Sequence, residues 1–204
     1  MMSTVTSTEE FLLSNWIEVI KVKEGTEMLQ KKINRLFDII KIGLQHSTWW
    51  TEEFVPPVYQ SDALFFWKKT WYFGDDQHDT IQIGIDNLSL DNLLGTTIER
   101  PIAYVWIQKR GTNRQNKEEF QRLFSNYTKE IQTSLDFPII SEHEYALYYE
   151  LPYTPRQWVN ILRESRFVET VLFHCDILAR CIEPIDRVLN AIRTKNDKDT
   201  VILN

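Results

Sequence analysis

The chain is expected to fold as an α+β domain, a mostly antiparallel sheet packed against long helices at its two ends. Three observations carry this. Between Ala63 and Lys109, three runs of aromatic and β-branched residues follow one another, separated by an acidic turn and a Gly-punctuated loop. Such runs bounded by turn residues read as strands of a meander. The segments on either side instead show apolar residues at helical spacing. Finally, strands gathered in one stretch with helices outside it are the pattern of an α+β layout rather than of alternating parallel units. The expected order is helix, helix, three strands, helix, strand, helix, helix, with four strands in the sheet.

Residues 1–7 read as a disordered tail, residues 8–195 as one domain, and residues 196–204 as a C-terminal tail. Thr8 offers a capping hydroxyl to a first helix whose opening turn carries Glu9 and Glu10, acids that favour a helix N-terminus. Phe11, Leu12, Trp16, Val19 and Ile20 give it an apolar side. Gly25 is expected to end or kink it, and Thr26 to cap a second helix with the seam Leu29, Ile33, Leu36, Ile40. The following loop, from His46 to Asp62, holds Trp49, Trp50, Phe54 and the pair Pro56-Pro57. So many rings must fold back onto the body.

In the first expected strand, Phe65, Trp67, Lys69, Trp71 and Phe73 alternate with Leu64, Phe66, Lys68, Thr70 and Tyr72. Neither set is polar, so the sheet is buried on both sides or offers one side to a partner. Ile81, Ile83 and Ile85 share the buried face of the second strand, away from Gln82, Gly84 and Asp86. Asp91 to Gly95 reads as a turn or helical stub. Pro101 opens the third strand, which contains Trp106, and Glu144 to Leu151 forms the fourth. Between these two strands a helix presents Phe120, Leu123, Phe124, Tyr127 and Ile131 on one side. Thr154-Pro155 starts the next helix, with a capping hydroxyl followed by proline at the first position. In the last helix, Val168, Val171, Cys175, Leu178, Ile182, Ile185, Leu189 and Ile192 alternate three and four apart. That seam suits pairing with a second copy or packing within the chain; Pro184 is expected to kink it.

The chain has 204 residues, 43% hydrophobic and 25% charged, which fits a globular domain. A formal net charge of −6 argues against a general nucleic-acid or anionic-membrane binder. No apolar run approaches the ~18 residues a spanning helix needs, and the N-terminus lacks the pattern of a secretory leader. Cys175 and Cys181 are six residues apart, roughly 240° around a helix of ~100° per residue. They are expected to be reduced, packed thiols in a cytoplasmic protein.

Candidate chemistry is sparse. Asp75, Asp76 and Asp79 offer hard oxygen ligands beside His78 but lack the spacing of a calcium loop. Lys109, Arg110 and Arg114 form a local basic patch, diluted by Glu118 and Glu119. His174, Cys175 and Cys181 do not supply a zinc set, and His143 lies between Glu142 and Glu144. No phosphate-binding loop or nucleophile elbow is present, so no cofactor or metal is expected.

Residues 26–151 resemble the restriction-endonuclease-like nucleases in the order of their elements. The resemblance implies an Asp on the second core strand and Glu-x-Lys on the third, together holding magnesium. Asp86 stands at the first position; Gln108 and Arg110 stand where the Glu and Lys would be. That set is short of one carboxylate. The alternative function implied is a magnesium-dependent nuclease or an inactive nucleic-acid-binding relative.

The leading expectation is a non-enzymatic interaction protein (an inhibitor, immunity-type or accessory factor). Its contact candidates are Trp49, Trp50, Trp67, Trp71, Tyr72 and Trp106, rings of the type enriched at protein interfaces. A homodimer through the C-terminal helix is a second expected association.

Overall fold

A computed structural model describes residues 6–73, 80–107, 114–133, 135, 138–142 and 145–202. Helix α1 (Ser7–Ser14) leads into α2 (Trp16–Gln45), which runs unbroken through Gly25. The expected break at Gly25 is therefore displaced to Asn15, whose side-chain amide donates to the Phe11 carbonyl and competes with the helix ladder. One glycine costs a helix only ~1 kcal/mol relative to alanine, too little to stop a run of strong helix formers. Thr26 caps nothing; its hydroxyl donates back to the Val22 carbonyl within the same helix.

Among the described residues the sheet has six strands, where four were expected: β1 (Val58–Gln60), β2 (Ala63–Phe66), β3 (Ile81–Asp86), β4 (Ile102–Ile107), β5 (Ile140–Glu142) and β6 (Tyr145–Glu150). Their order is β1-β2-β3-β4-β6-β5, and every neighbouring pair is antiparallel. The two additional strands are three-residue edges, too short to show a period, and each closely follows proline in the sequence. The expected first strand is cut to Ala63–Phe66. Beyond it the chain turns, with the Trp71 amide donating to the Lys68 carbonyl at 3.0 Å.

Register decides the two faces. Leu64 and Phe66 lie opposite Ile85 and Ile83; these in turn face Ala103 and Val105, which face Tyr149 and Leu147. All eight are buried, and the helices pack on this side. Helix α2 brings Phe37 onto Tyr59 of β1 at 3.7 Å between ring centres. Helix α6 (Phe167–Ala179) brings His174 onto Tyr149. Helix α4 (Arg114–Gln132) stacks Phe120 and Phe124 beside Phe73.

The connecting helices follow their expected signals. The short α3 (Leu90–Leu94) is capped by Ser89 and closed by Gly95 in the left-handed region. Helix α5 (Pro155–Arg163) begins with a capping box between Thr154 and Gln157, with Pro155 in the first turn.

The long terminal seam is divided between α6 and α7 (Ile182–Ile202), the break falling at Arg180–Cys181. Pro184 consequently sits in the first turn of α7, where its missing N–H costs nothing, and no kink arises. Val171, Cys175, Leu178, Ile185, Leu189 and Ile192 are all buried. α6 lies against α2, and α7 against α4. Among the described residues, most of the seam is packed inside the chain. Helix α7 also continues to Ile202, past residue 195 where the sequence ends the domain.

Candidate partner-binding face

The sheet has a second face, set by the alternate residues of the same strands. Phe65 lies opposite Gly84, Gly84 opposite Tyr104, and Tyr104 opposite Tyr148. Gln82 lies opposite Trp106, which a register shift in the β4–β6 pairing places beside Tyr145. Ile140 of β5 meets Tyr148. The rings touch along the face: Phe65 stacks on Trp67 at 5.9 Å, Tyr104 meets Tyr145 at 5.7 Å, and Tyr145 meets Tyr148 at 5.1 Å. Most of these side chains are half-buried, and Ile140 is exposed.

Gly84 is the centre of this arrangement. A Cβ there would lie 2.7 Å from the Tyr104 hydroxyl and 2.6 Å from the Leu64 carbonyl oxygen. The missing side chain lets the Tyr104 ring lie across β3, which buries that ring although it is on the outer face. Burial first, and then the Asp86 charge, push the Tyr104 hydroxyl well above the usual tyrosine range. It stays protonated and remains a donor.

One end of the face is acidic. Asp86 closes β3, Glu150 closes β6, and Asp62 and Glu99 stand near Asp86. Burial raises the Asp86 carboxyl above its usual value, reinforced by Asp62 and Glu99. The Asn87 amide, donating to it at 2.7 Å, opposes that rise. Arg100 reaches Glu150 at 3.5 Å, an exposed pair. The face therefore offers flat aromatic area with negative charge at one rim.

The structure divides the six ring candidates. Trp67 and Trp106 belong to this face. Trp71 does not: it is fully buried, because the turn after Lys68 reverses the expected alternation. Its indole donates to Asp186 at 2.7 Å. Trp49 and Trp50 pack on Phe54 and Phe66 beneath the helices, and the Trp49 indole donates to Asp176 of α6. Tyr72 lies under the Arg193 guanidinium, 5.5 Å from ring centre to carbon. Phe65, Tyr104, Tyr145 and Tyr148 complete the face but were not among the expected contact residues. Their signal, alternation, was present, yet which alternate set faces outward depends on strand pairing.

Of the basic patch, Lys109 and Arg110 lie outside the described residues. Arg114 opens α4 and is tied to Glu118 at 2.8 Å. The acidic turn Asp75–Asp79, His143 and Gln108 also lie outside them. Asp86 sits among the outer-face rings, and among the described residues no group of His, Cys, Asp and Glu is arranged to hold a metal ion. His174 is buried between two tyrosine hydroxyls, with Nδ1 3.1 Å from Tyr149 and Nε2 3.2 Å from Tyr153. No helix among the described residues is long and apolar enough to cross a membrane.

Compared with known proteins, the chain matches no protein-family model, no curated protein and no solved structure.

Proposed function

We propose that the chain is a non-enzymatic interaction protein, of inhibitor, immunity or accessory type, that holds a partner protein against the ring-lined face of its sheet. One observation carries this reading: Phe65, Trp67, Tyr104, Trp106, Tyr145 and Tyr148 share the face opposite the helices. Large rings already packed side by side lose little side-chain freedom on binding, which is why such rings anchor interfaces. The acidic rim at Asp86 and Glu150 selects an apolar partner segment flanked by Lys or Arg, through complementary charge. Two buried free thiols, Cys175 and Cys181, suit the reducing cytoplasm as the place of action.

The test places a photo-crosslinking residue at Trp106 and, separately, at the exposed Phe173 on α6. The protein captured from the Trp106 position is then purified and titrated by calorimetry. Trp67→Ala and Trp106→Ala are each expected to weaken binding by about tenfold or more, as truncated anchors do, with unchanged circular dichroism. Full affinity in both well-folded variants overturns the reading.

A further inference from the structure

Helix α2 is anchored by Ile33, Phe37, Ile40 and Leu44, all buried, while none of residues 16–28 is buried. At ~1.5 Å per residue, those thirteen residues form an overhang of roughly 20 Å with no core beneath it. It is not a polar stalk. Val22 is 69% exposed and Met28 71%, and apolar side chains so displayed on a stable helix call for a cover.

The sequence of the overhang carries a pattern that bears on its cover. Glu18, Val22, Gly25, Met28 and Lys32 follow one another at intervals of four, three, three and four, so they lie along one side of the helix at ~100° per residue. Among these five the intervals read the same in both directions about Gly25, and so do the chemistries (acid, apolar, glycine, apolar, base); Lys21 and Leu29, four positions to either side of Gly25, share that side and pair the Lys21 stem with an apolar residue. A second α2 laid antiparallel, with the two-fold axis at Gly25, brings Glu18 against Lys32 of the second copy and Val22 against its Met28. Each contact then occurs twice, as an isologous interface requires. Gly25 meets nothing within 4 Å in its own chain. No packing in the single chain calls for a glycine there, whereas a crossing point of two helices gains from one because the backbones can approach.

We infer that a second copy of this chain covers the overhang, forming an antiparallel α2–α2 dimer centred on Gly25. This interface is separate from the ring-lined face and does not depend on the function proposed above.

The experiment is sedimentation equilibrium of the full chain with charge reversals at Glu18 and Lys32, both exposed. Wild type is expected to be a dimer. Glu18→Lys and Lys32→Glu, each setting two like-charged contacts in the dimer, are expected to raise the dissociation constant by about tenfold, equivalent to ~1.4 kcal/mol. The E18K/K32E double variant restores it. A mixture of Val22→Cys and Met28→Cys chains is expected to form the mixed disulfide on oxidation, the native thiols being buried. A monomeric wild type overturns the inference and leaves the overhang to a different protein. A dimer indifferent to the single reversals, or not restored in the double variant, overturns it as well.

Discussion

The indole N–H of Trp71 and the Lys68 ammonium share one acceptor, the Asp186 carboxylate, at 2.7 and 2.6 Å. This three-way contact ties the turn after β2 to helix α7, more than a hundred residues further along the chain. Burial alone would lower the Lys68 pKa. Asp186 and Glu53 outweigh that and hold it above its usual value. Asp186→Ala removes an acceptor from a buried indole and leaves Lys68 with the mostly exposed Glu53. The expected loss is ~2–4 kcal/mol, read as a lower urea midpoint. Trp71→Phe together with Asp186→Ala is expected to cost less than the sum of the two single variants, since the orphaned donor is gone.

Gly84→Ala is expected to destabilise by ~1–3 kcal/mol, the usual cost of overpacking. The added methyl meets the Leu64 carbonyl, a backbone atom that cannot step aside, as well as the Tyr104 hydroxyl. Tyr104→Phe removes the hydroxyl but leaves the ring carbon Cζ, which lies 2.8 Å from the same Cβ position, so it should rescue no more than part of the loss. Thermal unfolding of G84A, Y104F and the double variant checks this. A G84A protein as stable as wild type would mean that Tyr104 does not lie across β3.

These two predictions draw on different kinds of legibility. The helix start at Thr154-Pro155, the isoleucines of β3 and the seam of α6 and α7 were readable because local chemistry and burial agree there. Trp71 was not readable: alternation assigns it to the side of Trp67, but the chain turns after Lys68 and carries the indole inward. Strand register, not composition, selects Phe65, Tyr104 and Tyr148 as a face, and pairing across distant strands is a property no local window contains. Gly25 misled for the opposite reason, since a glycine weakens a helix without ending it.

Cys175 and Cys181 are both fully enclosed, and burial pushes the Cys181 thiol up to about 12 and Cys175 further still. Since the thiolate is the reactive form, neither should react with a thiol-specific reagent at pH 8 in the native protein. Both should react once it is unfolded in guanidinium. Rapid native labelling of either would show α6 or its junction with α7 opening on the assay's timescale.

His174 makes acid the weak side of this fold. Burial lowers its pKa from 6.5 to about 4, and its two ring nitrogens face the hydroxyls of Tyr149 and Tyr153. Between those two values the unfolded chain binds a proton that the folded chain refuses. Stability therefore falls as pH drops from about 6.5 towards about 4 and the contribution levels off below, with a total of roughly 3 kcal/mol. Carboxylates titrate near the lower end, so the informative comparison is between pH 7 and pH 5.5. Over that interval the urea midpoint of wild type should fall, while that of His174→Gln, which has nothing to protonate there, should stay level from a lower start. Equal slopes for the two proteins would show that His174 can take up its proton without leaving the core.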